Sequence, residues 1–384
     1  MPPARPLALN LVLAVVCTAS AAVVAKGVLR ATYRVPARTM PRGVVTRTTT
    51  AEYDVEIATN AEGFRDVEHP LVKPPGTTRI AVLGDSFVFG SGVAFDQIIT
   101  SRMQALAPER GWDVEVLNFG VTGTGPVNML RLWEQVVSRY RPDIVIIAVY
   151  AGNDASDALR ESKEGRPRFV TLALARRGWA RLHKPDAVPA SVRPTPGGWN
   201  AFGLDNPASE DALLAAARAR GVPEDSVRAR LAAIPDSIIA DARAFRTNPY
   251  NLAEAVLDPD ALRNNVLLEG QRVNEGWAVL ESTLHRLIAE IKRAGARPAV
   301  ICIPAGVQVD RRYWWVTNLG VHLDQRVLDD AVFQRRLASV VKEDSLELND
   351  LLWMKADRGE ALYFRVDGHW TPRGHDLAVH ANQY

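Results

Sequence analysis

The sequence predicts an α/β protein: a three-layer α/β/α sandwich around a mostly parallel sheet, preceded by one transmembrane helix. Three observations predict it. Short apolar runs rich in β-branched residues end in small polar residues, segments of helical spacing separate these runs, and one long apolar stretch opens the chain. With 384 residues, 47% of them apolar and 23% charged, the chain is long enough for one large domain with insertions.

The opening stretch, residues 7–25, is interrupted by only a few polar residues. As a helix it would reach roughly 28 Å, close to the ~30 Å hydrocarbon core of a bilayer. We therefore predict a transmembrane anchor over residues 1–26 that contacts the lipid bilayer through residues 7–25. A signal peptide with the small-residue site Ala19-Ser20-Ala21 is the alternative.

The flanks of the anchor leave the orientation open. Lys26 and the three arginines after it favour a cytoplasmic domain under the positive-inside rule, whereas the very short N-terminal tail favours the outer face. We expect a single-pass protein of the inner (cell) membrane with a periplasmic or extracytoplasmic domain. Small residues at four-residue spacing (Ala14, Thr18, Ala22) would let an integral-membrane partner pack against the helix, or the helix is an ordinary anchor.

Residues 27–55 are polar, basic and threonine-rich, and predict a tether before one domain over 56–384. The sheet begins at 79–83 and continues with strands at 114–117, 143–150 and 298–303. Helices are predicted at 97–106, 128–140, 273–294 and 331–341, with a last one from Pro372. From about 155 to 270 the alternation breaks, and Pro/Gly-rich and alanine-rich stretches predict a mostly helical insertion over the carboxyl edge of the sheet.

Charge and cysteine content exclude some classes of function. The net charge of +2 gives no electrostatic footprint for a nucleic-acid partner. Cys17 lies in the apolar run and Cys302 in a predicted strand, so we do not expect them to pair. Because no cysteine and histidine cluster has metal-ligand spacing, we expect neither a metal nor a cofactor.

Polar residues follow the predicted strands where parallel strands bring their carboxyl ends together. Ser86 follows the first strand, Gly120 the second and Asn153 the third, while Asp367 and His369 lie near the C-terminus. A nucleophilic serine needs a base, and that base needs an orienting acceptor, which are the expected roles of His369 and Asp367. The N–H groups of Ser86 and Gly120 and the amide of Asn153 would form an oxyanion hole.

Other residues near this set have both a substrate-binding and a structural interpretation: Arg65, Asp85, Asp154 and Trp370. Arg65 would bind a substrate carboxylate or phosphate, or tie its loop to the sheet. His375 is a rival base, although its position favours a helix face.

Four blocks in order carry a resemblance to a known family: Gly84-Asp85-Ser86-Phe87, Asn118-Phe119-Gly120, Gly152-Asn153-Asp154 and Asp367-Gly368-His369-Trp370. They resemble the SGNH (GDSL-type) hydrolase superfamily over residues 60–155 and from about 277 to the end. The resemblance implies a flavodoxin-like fold, Ser86 as nucleophile, Gly120 and Asn153 as oxyanion donors, and His369 with Asp367 as base and orienter.

Two details depart from the family's common pattern. The final block is Asp-x-His rather than Asp-x-x-His, and Ala151 stands where the third block often has glycine. The shorter block followed by Trp370 is similar to a membrane-anchored bacterial branch of envelope enzymes that move acetyl groups on and off polysaccharides.

The sequence therefore predicts a membrane-anchored serine esterase or O-acyltransferase. Its substrate would be an acyl ester, with acetyl-ester chemistry on a carbohydrate, lipid or cell-wall polymer. The alternative is a catalytically weak or inactive accessory subunit of the same fold, docked on a larger membrane complex through its N-terminal helix.

Overall fold

The structure is a computed structural model and describes residues 5–164, 209–244, 246, 249–342, 345–346 and 359–380. The chain divides into two compact units. The first contains helix α1, Arg5–Thr32, and the second contains every strand and the remaining described helices.

A parallel five-stranded sheet forms the centre of the second unit, in the order β4-β3-β5-β6-β7. Its strands are β3 (Thr78–Gly84), β4 (Val114–Gly120), β5 (Ile144–Tyr150), β6 (Arg297–Ile303) and β7 (Ser345–Leu346). Apolar runs of this kind are typical of strands buried on both faces. The predicted α/β class with a parallel sheet is confirmed.

Helices cover both faces of this sheet. The helices of the second unit have these bounds: α2 Ser86–Phe89, α3 Ile99–Leu106, α4 Pro126–Gln135, α5 Asp154–Lys163, α6 Glu210–Arg220, α7 Glu224–Ala233, α8 Asp236–Arg243, α9 Pro249–Leu257, α10 Ala261–Leu267, α11 Gln271–Arg293, α12 Gly306–Val309, α13 Arg326–Asp329, α14 Val332–Val341 and α15 Pro372–His380. The predicted helix 128–140 ends early, because Val136 leaves the helical conformation and a 3₁₀ turn follows.

Two apolar cores lie on opposite faces of the sheet. Leu83 and Ile147 point into the core that contains Trp133 of α4 and Trp277 of α11. Their neighbours along the strands, such as Val82, point into the other core, under α2, α3 and α15. This alternation follows from the twofold periodicity of a strand, and each fully buried large side chain stabilises the sandwich by about 1.5–3 kcal/mol.

Helix α1 covers the predicted anchor, residues 7–25. Among the residues that the structure describes, no helix combines the length and the apolar character needed to cross a membrane. The anchor, its cleavage, its orientation and its partners stay predictions.

The predicted tether, residues 27–55, is not a plain spacer. Strands β1 (Val45–Thr49) and β2 (Asp54–Ala58) form an antiparallel hairpin that belongs to the second unit. Exposed side chains alternate with more buried ones along both strands, a pattern that suits a strand with one face toward solvent. The threonine-rich composition therefore indicated a strand rather than a linker.

Part of the predicted insertion, residues 165–208, lies outside the described residues. The described remainder is helical and includes α6 to α10. These helices share a small core of their own, which contains Leu213, Leu252 and Val256.

Candidate active site

Ser86 lies directly beyond the carboxyl end of β3, as the first residue of α2. Asp85 caps this helix, since its Oδ1 accepts the N–H of Phe87 at 2.9 Å. Gly84 permits the tight approach of the helix to the strand, because a Cβ there would lie 2.3 Å from Val88 Cγ2. The turn therefore holds the Ser86 hydroxyl at the edge of the sheet.

His369 and Asp367 meet Ser86 as a hydrogen-bonded chain. His369 Nε2 lies 2.7 Å from Ser86 Oγ, and His369 Nδ1 contacts Asp367 Oδ1. The His369 side chain is 22% exposed and that of Asp367 only 3%, so the imidazole faces the cavity while the carboxylate is shielded behind it. This geometry permits proton transfer between Ser86 and the imidazole.

The shortened Asp-x-His block reaches this geometry through Gly368. Gly368 has φ +83°, a left-handed conformation that folds the chain back between the two side chains. The Phe364 N–H donates to the His369 carbonyl at 2.7 Å, and the Gly368 N–H donates to the Phe364 carbonyl at 3.0 Å. Asp367 and His369 can therefore pair across one intervening residue, because the turn at Gly368 replaces the residue that the shorter block lacks.

The surroundings shift the pKa values of both groups. Burial lowers the pKa of His369, but Asp367 and then Asp85 raise it more, so that the net shift is upward. Burial raises the pKa of Asp367, but His369 and the hydroxyl of Tyr53 lower it more, and the net shift is downward. Asp367 is therefore ionised at neutral pH and stabilises a proton on the imidazole.

The predicted oxyanion role of Gly120 is wrong. Its N–H donates to the Asn118 side-chain oxygen at 2.8 Å and so is already satisfied within the fold. A Cβ on Gly120 would lie 2.2 Å from the Phe89 nitrogen, which shows that this glycine permits close packing of β4 against α2. Gly120 does not line the cavity.

Gly123, three residues later, is a candidate oxyanion donor in place of Gly120. It lines the cavity with Ser86, has φ +64°, and its N–H has no acceptor within the described part of the chain. Its carbonyl accepts from Arg160 at 3.1 Å, which fixes the peptide. The sequence signal was present, since Gly123 is the next glycine in the same loop.

The N–H of Ser86 and the side chain of Asn153 complete the candidate donors. Ser86 begins α2, and the first N–H of a helix has no intrahelical acceptor. Asn153 lies in the turn between β5 and α5 and lines the cavity. Its buried Oδ1 receives no hydrogen bond from the residues described, so a ligand can set the orientation of the amide.

Arg65 has a structural role. Its buried guanidinium donates to the backbone carbonyls of Gly90 and, at 2.7 Å, of Val93. Burial lowers its pKa to about 10, so it remains charged at neutral pH. It ties the turn after α2 to the loop before the sheet and does not line the cavity.

Asp85, Asp154 and Trp370 lie beneath the site rather than in it. Burial raises the pKa of Asp85 to about 6, and burial together with the charge of Asp85 raises that of Asp154. Trp370 is fully buried and packs edge-on against Phe87, 5.2 Å between ring centres. His375 accepts the Ile99 N–H at 3.2 Å, and burial lowers its pKa to about 3, so it is not a rival base.

A cavity of about 350 Å³ opens over Ser86. The sheet side contributes Ser86 and His369, and the opposite wall comes from the insertion, chiefly from α9 and α10. The charged residues in its lining are Asp157, Arg160, Arg220, Glu254, Asp258, Arg272, Arg365 and Asp367. Burial raises the pKa of Glu254 to about 7, and the nearby Asp258 and Asp157 add to that shift. The cavity wall therefore combines charged side chains with apolar and aromatic ones.

Sequence reasoning missed two residues of the hairpin turn. Tyr53 donates its hydroxyl to Asp367 Oδ2 at 2.7 Å, and Glu52 accepts the Asp367 N–H at 2.8 Å. The two contacts join positions more than 300 residues apart. No local motif could have indicated them.

The chain is similar in structure to several solved esterases and lipolytic proteins. A lipolytic protein of the G-D-S-L family from Veillonella parvula has 11% identity and a TM-score of 0.35, covering 80% of this chain and 96% of that one. Esterase EstA from Pseudoalteromonas sp. has 11% identity and a TM-score of 0.36, covering 80% and 94%. An acetyl-xylooligosaccharide esterase from Geobacillus stearmophilus has 11% identity and a TM-score of 0.37, covering 79% and 92%.

No protein-family model and no curated protein matches the sequence. The distant structural matches carry no information about substrate. The membrane-anchored branch is not confirmed. The four blocks in order, and the Ser86–His369 contact at the edge of a parallel sheet, are similar to the pattern of the SGNH (GDSL-type) hydrolase superfamily.

Proposed function

We propose that this protein is a serine esterase that cleaves a short acyl ester, such as an acetyl ester, on a polar and hydroxyl-rich carrier. The single observation that supports it most is the Ser86–His369–Asp367 chain at the floor of an open cavity. A serine hydroxyl becomes a nucleophile only when a base is within hydrogen-bond reach.

In the proposed reaction Ser86 Oγ attacks the acyl carbon, and its proton passes to His369 Nε2. Asp367 stabilises the imidazolium, and the N–H groups of Ser86 and Gly123 with the Asn153 amide stabilise the oxyanion. His369 then gives its proton to the leaving alcohol oxygen. Water attacks the resulting acyl-serine with His369 again as base, which releases the acid and restores the serine.

The charged cavity wall supports a polar carrier over a long fatty acyl chain. A long chain packed against these charged side chains would exclude water from them, which costs free energy. Hydroxyl groups of a carbohydrate can instead bond to side chains such as Glu254 and Arg272. O-acyl transfer is the same chemistry with a sugar hydroxyl in place of water, and it depends on which acceptor enters this cavity.

Labelling with a fluorophosphonate probe tests the proposal. We expect stoichiometric labelling of the intact protein, lost in Ser86→Ala and kept in Ser282→Ala, a serine on the exposed side of α11. Labelling of Ser86→Ala at the wild-type rate would assign the reaction to Ser91 or Ser156, which line the same cavity. No labelling of the intact protein would favour the accessory-subunit alternative.

Membrane anchoring through residues 7–25 is a separate proposal that rests on the sequence. We expect the full chain to remain in the membrane fraction after alkaline carbonate extraction. Release of the full chain by carbonate would contradict the anchor.

A further inference from the structure

The turn of the β1–β2 hairpin contacts the loop that holds the base. Three hydrogen bonds join them: Tyr53 Oη to Asp367 Oδ2 at 2.7 Å, Asp367 N–H to Glu52 at 2.8 Å, and Val366 N–H to Glu52 at 3.0 Å. The ring of Tyr53 also packs on Phe364, 5.0 Å between centres. The loop that places His369 is therefore held by a distant segment of the chain.

Asp367 needs these contacts because it is buried. A shielded carboxylate is stable only when both oxygens have partners. His369 occupies Oδ1, and the Tyr53 hydroxyl occupies Oδ2. Without that hydroxyl the second oxygen would lose its side-chain donor, and the carboxylate could rotate away from the imidazole.

Glu52 fixes the backbone of the same loop. Its carboxylate accepts two consecutive N–H groups, those of Val366 and Asp367. On the other side Asn251 of α9 donates to the Val366 carbonyl at 2.5 Å. The loop is thus held from the hairpin and from the insertion at the point where the chain turns back through Gly368.

Building on the proposed function, we propose that Tyr53 and Glu52 are positioning residues that hold Asp367 and His369 in the geometry for proton transfer from Ser86. The hairpin is then part of the active site, although it contributes no group to the cavity over the serine. A merely structural hairpin would affect stability and leave the titration of His369 unchanged.

Tyr53→Phe separates these two roles, because it keeps the ring on Phe364 and removes only the hydroxyl. The Asp367 carboxylate could then rotate away from the imidazole, and the pKa of His369 would fall because Asp367 is the largest charge that raises it. Asp367, Asp85 and His375 are the titratable groups around His369, and Tyr53, Glu52 and Tyr150 are those around Asp367. None of the others is changed by the substitution.

The experiment is an NMR titration of the histidine side chains in the full-length protein, with His369→Gln to assign the resonance. We expect Tyr53→Phe to shift the midpoint of His369 downward by about 0.5–1 pH unit. The rate of ester cleavage should fall roughly tenfold to a hundredfold, in kcat rather than KM. Glu52→Gln should also lower kcat, since its amide would place an N–H against a backbone N–H.

Asp54→Asn is the matched control on the hairpin. Asp54 bonds to Arg47 at 2.7 Å and to Thr49 at 2.8 Å and contacts neither Asp367 nor Val366. It should leave the His369 midpoint and kcat unchanged. An unshifted midpoint in folded Tyr53→Phe would overturn the positioning role. Because the titration needs no turnover, a wild-type protein that no probe labels would count against the proposed function alone.

Discussion

Asn118 Oδ1 accepts the N–H of Gly120 at 2.8 Å, while the Asn118 amide donates to the Val88 carbonyl at 3.0 Å. One buried side chain thus joins β4 to α2 directly beneath the serine. The N–H of Gly120 takes part in this contact between β4 and α2 and not in the oxyanion hole.

Gly120→Ala should therefore unfold or strongly destabilise the protein. The new methyl group would lie 2.2 Å from the Phe89 nitrogen, so the helix that carries Ser86 would have to move. Overpacking of this kind costs about 1–3 kcal/mol or more. Urea denaturation followed by fluorescence measures the loss. A variant with wild-type stability would contradict the close packing of β4 against α2 at Gly120.

Gly368→Ala should lower activity beyond its effect on stability. Both Gly368 and Gly111 have positive φ, +83° and +70°, and a methyl group on either would meet open space. Each alanine should cost about 1–2 kcal/mol of strain. Only position 368 lies between base and orienter, so kcat should fall in Gly368→Ala and stay near wild type in Gly111→Ala. Equal activities in the two variants would show that the left-handed turn does not place His369.

The pH profile of kcat/KM should have its acidic limb above the usual histidine value of 6.5, because Asp367 and Asp85 raise the pKa of His369. The base must be neutral to accept the serine proton, so activity falls tenfold per unit below that limb. Asp367→Asn removes the largest charge that raises this pKa. The limb should move to lower pH, and kcat should fall about 10⁴-fold. Initial rates measured from pH 5 to 9 test this prediction. An acidic limb that stays at the same pH in Asp367→Asn would contradict the pairing of Asp367 with His369.

Asp154→Asn should stabilise the protein at neutral pH. Asp154 is fully buried, its Oδ1 has no hydrogen-bond donor within the described chain, and burial with the charge of Asp85 raises its pKa. A carboxyl group whose pKa is higher in the folded state than in the unfolded state stabilises the fold at pH values below its unfolded pKa. This stabilisation is lost as the pH rises through the folded pKa.

The asparagine variant keeps an acceptor for the Tyr150 N–H and loses the charge. We expect a gain of roughly 1–3 kcal/mol at pH 7 that shrinks toward pH 4, measured by thermal unfolding at both pH values. A loss of stability at pH 7 would mean that the Asp154 charge has a favourable partner.

Local patterns predicted the parts of this site that local structure determines. Ser86 follows a strand-to-helix turn, and Asn153 follows a buried strand, so periodicity alone located them. The choice between Gly120 and Gly123 could not be made this way, because it depends on which N–H the Asn118 side chain occupies. Tyr53 could not be predicted from the sequence for another reason. Its partner lies in the last part of the chain, and only the folded hairpin brings the two together.

Ser86 precedes its base by 283 residues, and Tyr53 precedes Asp367 by 314. A ribosome therefore completes the serine, its strand and the hairpin long before it adds the imidazole. Throughout that interval the nascent chain has an ordinary, unreactive hydroxyl where the nucleophile will be. In this arrangement the proposed chemistry begins only after translation has passed residue 369, so a truncated product of interrupted synthesis would carry the serine without the ability to cleave esters.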